Sequence, residues 1–363
     1  MNPKDNGQKG IALVLILWVL AILSVIAGEF CYAMRAEVNI TRNFKEGSEA
    51  YYYALAGVNR AIGELIRDKI MSRRTKLGLG RSKTEKEKAL EASAEEAKEK
   101  ARWRVNVDIP PVVFGAGAFK VRIGNEAGKI NVNLASENVL KMMLNAFDLE
   151  DREKDIIVDS ILDWRDEDDL HLLNGAENDY YNSLPEPYNC KNAPFDSVEE
   201  LLLVRGITPE IYDAGLKDMV TVFLDNRATQ KSTANILMGR SGSVFSSKVC
   251  INAAPEKVLR ALPLMSDELV RKVTTFRKAK DFESPAEIVS VVGADVYKAI
   301  SPYITVEENT YYTISTTGLI PGTQISRGIE AMVEINPTVQ GGWRVVEWRD
   351  AHTRRRQLPE NVD

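Results

Sequence analysis

The residues of this chain best suited to chemistry crowd into one stretch, ILDWRDEDDLHLLNGAENDYY. Asp163, Asp166, Asp168, Asp169, Glu177 and Asp179 fall there within 17 residues. Like charges at that density repel one another unless a cation neutralises them, and hard oxygen donors of this kind suit calcium. The stretch is not an EF-hand loop, because the glycine after the third acidic position is absent. Asp168 and Glu177 can ligate from the two arms of a loop that Gly175 allows to turn, with Asp166 and Asp179 as the next candidates. The same residues read equally well as a solvated acidic loop with Asp163 and Asp166 on a helix end. A carboxylate pair also suits a glycosidase, but no nucleophile motif or phosphate loop accompanies it. GAGAFK (Gly115 to Lys120) is a glycine cluster in a hairpin-like setting and not a phosphate loop.

Other site chemistries are poorly supplied. The chain has two histidines, His171 and His352, far apart in sequence, which leaves little for a histidine triad or a multi-histidine zinc site. Its three cysteines include no CxxC pair. Cys190 and Cys250 can form a disulfide if the body is extracytoplasmic, or stand as two unpaired thiols. The net charge of -5 lacks the basic footprint of a nucleic-acid protein, and 44% hydrophobic residues are enough for a packed core. No enzyme is expected.

The elements that must position the acidic stretch begin with a long helix. Ile11 to Gly28 carries no charge and makes about 27 Å of helix, close to the bilayer core of about 30 Å. Lys4 and Lys9 place the leader on the cytoplasmic side. The pattern continues without proline, and Tyr51, Leu55, Val58, Ile62 and Leu65 recur at helical spacing. One helix is therefore expected, apolar all round in its first half and packed on a sheet in its second. A charged stretch, residues 73–104, reads as a solvated helix or loop. Strand patterns follow in WRVNVDI (103–109) and AFKVRIGN (118–125), and again near the end in TYYTISTTGL, SRGIEAMVEI and WRVVEWRD.

Between these strand groups lies an internal repeat. NLASENVL (Asn133 to Leu140) matches NAAPEKVL (Asn252 to Leu259), and FDSVEELLLVRG (Phe195 to Gly206) matches FESPAEIVSVVG (Phe282 to Gly293). Ser197 and Ser284 read as helix N-caps, with Glu200 and Glu287 completing capping boxes. Pro285 suits a first helical position, and Gly206 and Gly293 end their helices at positive φ. The frame resembles a helix-hairpin-helix or SAM-like unit. Such units often bind DNA, but the acidic balance and the single basic hairpin residue, Arg205, favour a protein-interaction or spacer role.

A short basic leader ending in Gly10, an apolar helix starting at Ile11 and an amphipathic continuation resemble the type IV pilins and pseudopilins. That resemblance implies cleavage between Gly10 and Ile11 by a prepilin peptidase and methylation of the new amino terminus. Most members carry glutamate at the fifth mature position; Leu15 stands there here, and a subunit without that costly intramembrane carboxylate suits a fibre tip. The large size, NEAGKINVN (125–133) and the D-W-x-D-x-D…G-A-E-x-x-Y-Y pattern resemble the K-type minor pseudopilins of type II secretion. The implied fold is α+β: a pilin-like helix on an antiparallel sheet, with a large inserted all-α domain of two SAM-like units.

The implied organisation is a leader at 1–10, a transmembrane part at 11–34, and pilin-like segments at 35–130 and 307–350. The helical insertion occupies 131–306, with repeats at about 131–222 and about 250–306, and 351–363 is a tail. The implied function is to cap or initiate the pseudopilus, with calcium as cofactor. The implied partners are I- and J-type minor pseudopilins, the major pseudopilin and the prepilin peptidase, in a single-pass inner-membrane protein with a periplasmic body. The helix face of Tyr51, Leu55, Val58 and Ile62 is expected to pack partly on the chain's own sheet and to meet the I- and J-type partners with its exposed part. The rival readings are a membrane-anchored helix-hairpin-helix protein for DNA uptake and a minor pilin of a type IV pilus.

Overall fold

The computed structural model describes residues 8–76, 103–223, 248–336 and 340–351. Most of the leader, residues 77–102 of the charged stretch and the tail beyond Ala351 lie outside the described residues. The first element is one unbroken helix, α1 (Gln8–Lys76). Its length follows from the absence of proline through its interior. It is long and apolar enough to cross a membrane, and its apolar window is not buried against the rest of the chain.

The second half of α1 packs on a five-stranded antiparallel sheet built from β1 (Val112–Phe114), β2 (Gly117–Asn125), β7 (Tyr311–Leu319), β8 (Ser326–Ile335) and β9 (Trp343–Ala351), in that spatial order. Alternation sorts the strands. Ile314, Ile329, Ala331 and Val333 enter the core beneath α1, whereas Thr313, Glu330 and Met332 face the other way. Small residues let helix and sheet approach closely. Thr316 Oγ1 donates to the Ala54 carbonyl at 2.9 Å, and a Cβ at Gly318 would overlap the Ala50 carbonyl oxygen. Val58 and Ile62 are fully used in this core, and Tyr51 and Leu55 pack partly on it. The expected assembly face therefore packs partly on the chain's own sheet, and Tyr51 and Leu55 are its part-exposed residues.

The expected strand at 103–109 is absent. Asn106 takes a left-handed φ of 57°, and its side chain donates to the carbonyls of Asn252 (3.2 Å) and Ala253 (2.9 Å). Arg104 donates to Lys278 O (3.2 Å) and Ala279 O (3.1 Å) at a helix C-terminus. The segment is a clamp on the insertion, and its polar groups serve that contact and not a ladder.

The chain leaves the sheet after Asn125 and returns beside it. Asn125 Nδ2 donates to Asn309 O, and Asn309 N–H donates back to Asn125 Oδ1, both at 3.2 Å. Between these points lie α2 (Glu137–Leu144), α3 (Asp151–Arg165), α4 (Glu256–Ala261), α5 (Asp267–Ala279), α6 (Pro285–Val292) and α7 (Ala294–Ile300), with shorter turns among them. Each sequence copy closes on its own parallel two-residue ladder. In the first, β3 (Ile130–Asn131) pairs β4 (Val220–Thr221); in the second, β5 (Val249–Cys250) pairs β6 (Ile304–Thr305).

The copies share their internal bonds. Asn133 exchanges bonds with the Phe195 backbone at 2.9 and 2.7 Å, and Asn252 does the same with Phe282 at 3.0 and 2.8 Å. Arg165 donates to the carbonyls of Val132 and Ala135; Arg277 donates to those of Ile251 and Ala254. Gly206 and Gly293 adopt φ of 87° and 89°, the left-handed geometry that ends each helix without Cβ strain. Glu200 accepts from the Ser197 N–H at 3.1 Å and Glu287 from the Glu283 N–H at 2.7 Å. Ser284 makes no side-chain cap bond, so the second capping box lacks that half. The first copy's helix, Val198–Leu203, is a 3-10 turn and not an α-helix.

Candidate cation-binding loop

The acidic stretch is an insertion within the first repeat. In the second copy α5 reaches Phe282 within a few residues; in the first, the chain between Arg165 and Phe195 makes a long loop. Arg165 anchors its start through its two backbone contacts. Arg205 anchors its middle, donating to Gly175 O at 3.0 Å and lying 4.6 Å over the Tyr180 ring. The lone hairpin cation is thus spent on the loop. An aromatic cluster of Trp164, Tyr181, Tyr188 and Phe195 lies below.

Two carboxylates shape the loop, one buried and one half-buried. Asp163, wholly buried on the last turn of α3, accepts from the Leu172 N–H at 3.1 Å. A Cβ at Gly175 would overlap this carboxylate, so the turn there needs glycine. Asp159 accepts from the Asn174 backbone and side-chain amides, both at 3.0 Å. Burial pushes the Asp163 carboxyl up to about 6, against the pull of the backbone N–H groups.

The six loop carboxylates divide into engaged and stranded groups. Asp168 accepts from the Leu170 N–H (2.8 Å), and Asp179 from its neighbour Tyr180 (2.8 Å). Asp169 accepts from the side chains of Asn178 and Asn192, both at 2.9 Å. Asp166 Oδ1, both Glu177 carboxylate oxygens and Asn192 Oδ1 are buried without a hydrogen-bond partner. Glu177 is 2% exposed. Burial pushes its carboxyl up to about 7, and Asp163, Asp166 and Asp169 add to it. Asp166 is also raised, first by burial and then by Asp168.

Buried oxygens that only accept, with donors missing, are the chemistry a hard cation completes. Of the expected ligands, Asp166 and Glu177 have this character, whereas Asp168 and Asp179 each spend an oxygen on the backbone. Asn192, in a left-handed turn at φ 46°, was not foreseen, and no spacing signal marked it. Among the described residues no group of three or more His, Cys, Asp or Glu side chains forms a ready-made cage.

Of the two readings left open for Cys190 and Cys250, the structure shows the unpaired thiols. Both thiols are free and buried, Cys190 in the core of the helical insertion and Cys250 in that of the sheet. Burial pushes each up to about 12, which leaves little reactive thiolate.

Comparison with known proteins bears on this architecture. The solved structure of the GspK-GspI-GspJ complex from the enterotoxigenic Escherichia coli type 2 secretion system contains a similar chain. The match has a TM-score of 0.53 and 15% identity, and it covers 86% of this chain and 99% of that one. At that identity the likeness concerns the fold. The type II secretion system protein K of Aeromonas hydrophila is 25% identical over 213 residues, covering 58% of this chain and 62% of the relative. That of Klebsiella pneumoniae is 26% identical, covering 57% and 61%. The match thus spans about three fifths of the length of these relatives. Residues 121–225 match the family model described as type II secretion system (T2SS), protein K.

Proposed function

We propose that this protein is a minor pseudopilin that caps or initiates a type II secretion pseudopilus and does no catalysis of its own. The observation that carries this reading is α1. Its first half is a bare apolar rod, while its second half is locked into a sheet that also bears a large helical head. A rod of that kind sits in a membrane before assembly and packs among other such rods afterwards. Leu15 stands exposed on the rod where a fibre-shaft subunit would present glutamate. A wide head above one end of a helical bundle blocks addition of further subunits over it.

The relatives' names support this role, and the K-I-J complex supports I- and J-type minor pseudopilins as partners. The major pseudopilin would lie below in the fibre. In this reading a prepilin peptidase cuts between Gly10 and Ile11, with methylation of Ile11. The body is periplasmic, and the inserted repeats act as SAM-like spacer units. Calcium is held by Glu177 and Asp166, with Asn192 and the neighbouring loop oxygens completing its shell. Bound there, the ion neutralises the stranded carboxylates and stiffens the loop.

Co-expression with I- and J-type minor pseudopilins tests the assignment. A stable complex extracted from membranes is expected. Purification of this chain alone, under conditions that keep the partners folded, would overturn it.

A further inference from the structure

A cleft of about 740 Å³ separates the outer face of the sheet from the first repeat. Thr313, Glu330 and Met332 of β7 and β8 form its floor with residues of β9; Val198, Tyr212 and Phe223 face them from the insertion. Six carboxylates and three cations line it. The cations are already matched: Lys129 with Glu126 at 2.8 Å, Lys217 with Asp213 at 2.5 Å, and Arg349 with Glu199 at 3.1 Å. Asp218 and Glu330 make no ion pair among the described residues. The cleft therefore carries surplus negative charge beside the apolar side chains of Met332 and Val346.

Its open wall is β9, the last strand of the sheet. Among the described residues no strand pairs with its outer edge. A bulge interrupts it: Val333 pairs Val345 but Met332 pairs Glu347, which leaves Val346 extra. The bulge turns Val346 and Glu347, which regular alternation would send to opposite faces, into the same cleft. An extended chain added along the edge beyond the bulge gains backbone bonds, and its alternate side chains fall into the cleft.

We infer that this cleft and the edge of β9 dock an extended basic segment of a partner polypeptide. Apolar residues of that segment pack on Val346 and Met332, and its cations meet Asp218 and Glu330. The same surplus charge disfavours nucleic acid and anionic lipid. The inference rests on neither the cation loop nor the fibre reading.

The test uses the full chain in detergent micelles and a fluorescent, capped peptide alternating valine and lysine. Binding that weakens with salt is expected, with slowed hydrogen exchange in β9 at residues 347–351. Asp218→Lys with Glu330→Lys, both exposed positions, should weaken binding by about tenfold or more. A valine–glutamate peptide should not bind. Three results would each overturn the inference: no binding of the lysine peptide, no protection of β9, or binding unchanged in the double variant but lost in Asp168→Asn with Asp169→Asn. The last would place the peptide on the acidic loop.

Discussion

Replacing Glu177 by glutamine should have opposite effects with and without calcium. The side chain is 2% exposed, and both of its carboxylate oxygens lack a partner. At pH 8 a group pushed up to about 7 is ionised, so the metal-free fold holds a buried charge beside Asp163, Asp166 and Asp169. Leaving such a group unsatisfied costs about 1–3 kcal/mol, more when it is charged. Glutamine keeps the shape, removes the charge and supplies two donors to a neighbourhood of stranded acceptors. Metal-free Glu177→Gln should therefore be more stable than the parent by about 1–3 kcal/mol. At about 2–4 °C per kcal/mol for a body of this size, the melting temperature should rise by about 2–12 °C.

Calcium reverses the order. Saturation at about 100 times its dissociation constant stabilises the parent by about 2.7 kcal/mol, and the variant, with a ligand charge removed, gains much less. Calorimetry of the detergent-solubilised chain at pH 8, with chelator and then with millimolar calcium, reads both arms. A variant less stable than the parent under chelator would refute the claim that Glu177 is stranded. An equal calcium shift in both proteins would remove Glu177 from the site.

Two further outcomes probe the scaffold. Gly318→Ala must push α1 off the sheet at Ala50, as overpacking does, at about 1–3 kcal/mol, and a lower denaturant midpoint with unchanged slope is the expected reading. Asn252→Ala strips both bonds from the Phe282 backbone in a buried site and should cost about 2–4 kcal/mol; Asn133→Ala should cost a similar amount if the copies are energetically equivalent, which paired unfolding curves will decide.

The parts legible in the sequence were those that local rules specify. A proline-free apolar-to-amphipathic run can only be a long helix, and alternation marked β2, β7 and β8 closely because each buries one face; β9, which buries neither, was marked by its β-branched and aromatic residues. The repeat was legible because Asn133 and Asn252, and Gly206 and Gly293, are needed at matched positions by matched backbone geometry. What escaped depended on contacts far apart in the chain. WRVNVDI alternates like a strand, yet Arg104 and Asn106 find better partners about 150 residues away, and tertiary bonding overrides propensity.

The hydrogen bonding inside the acidic loop escaped for the same reason. Spacing could nominate Asp168 and Asp179 but could not foresee that backbone N–H groups would occupy them. Nor could it place Asn192, from the far arm, beside Asp169. A ligand is chosen by which oxygens remain without donors once the loop has folded, and that is a property of the hydrogen-bond network. The composition supplied the carboxylates, and Asp163 and Asp159 show the consequence. Two of the carboxylates hold the loop's backbone, so in the proposed calcium site the ion would fall to the ones they strand.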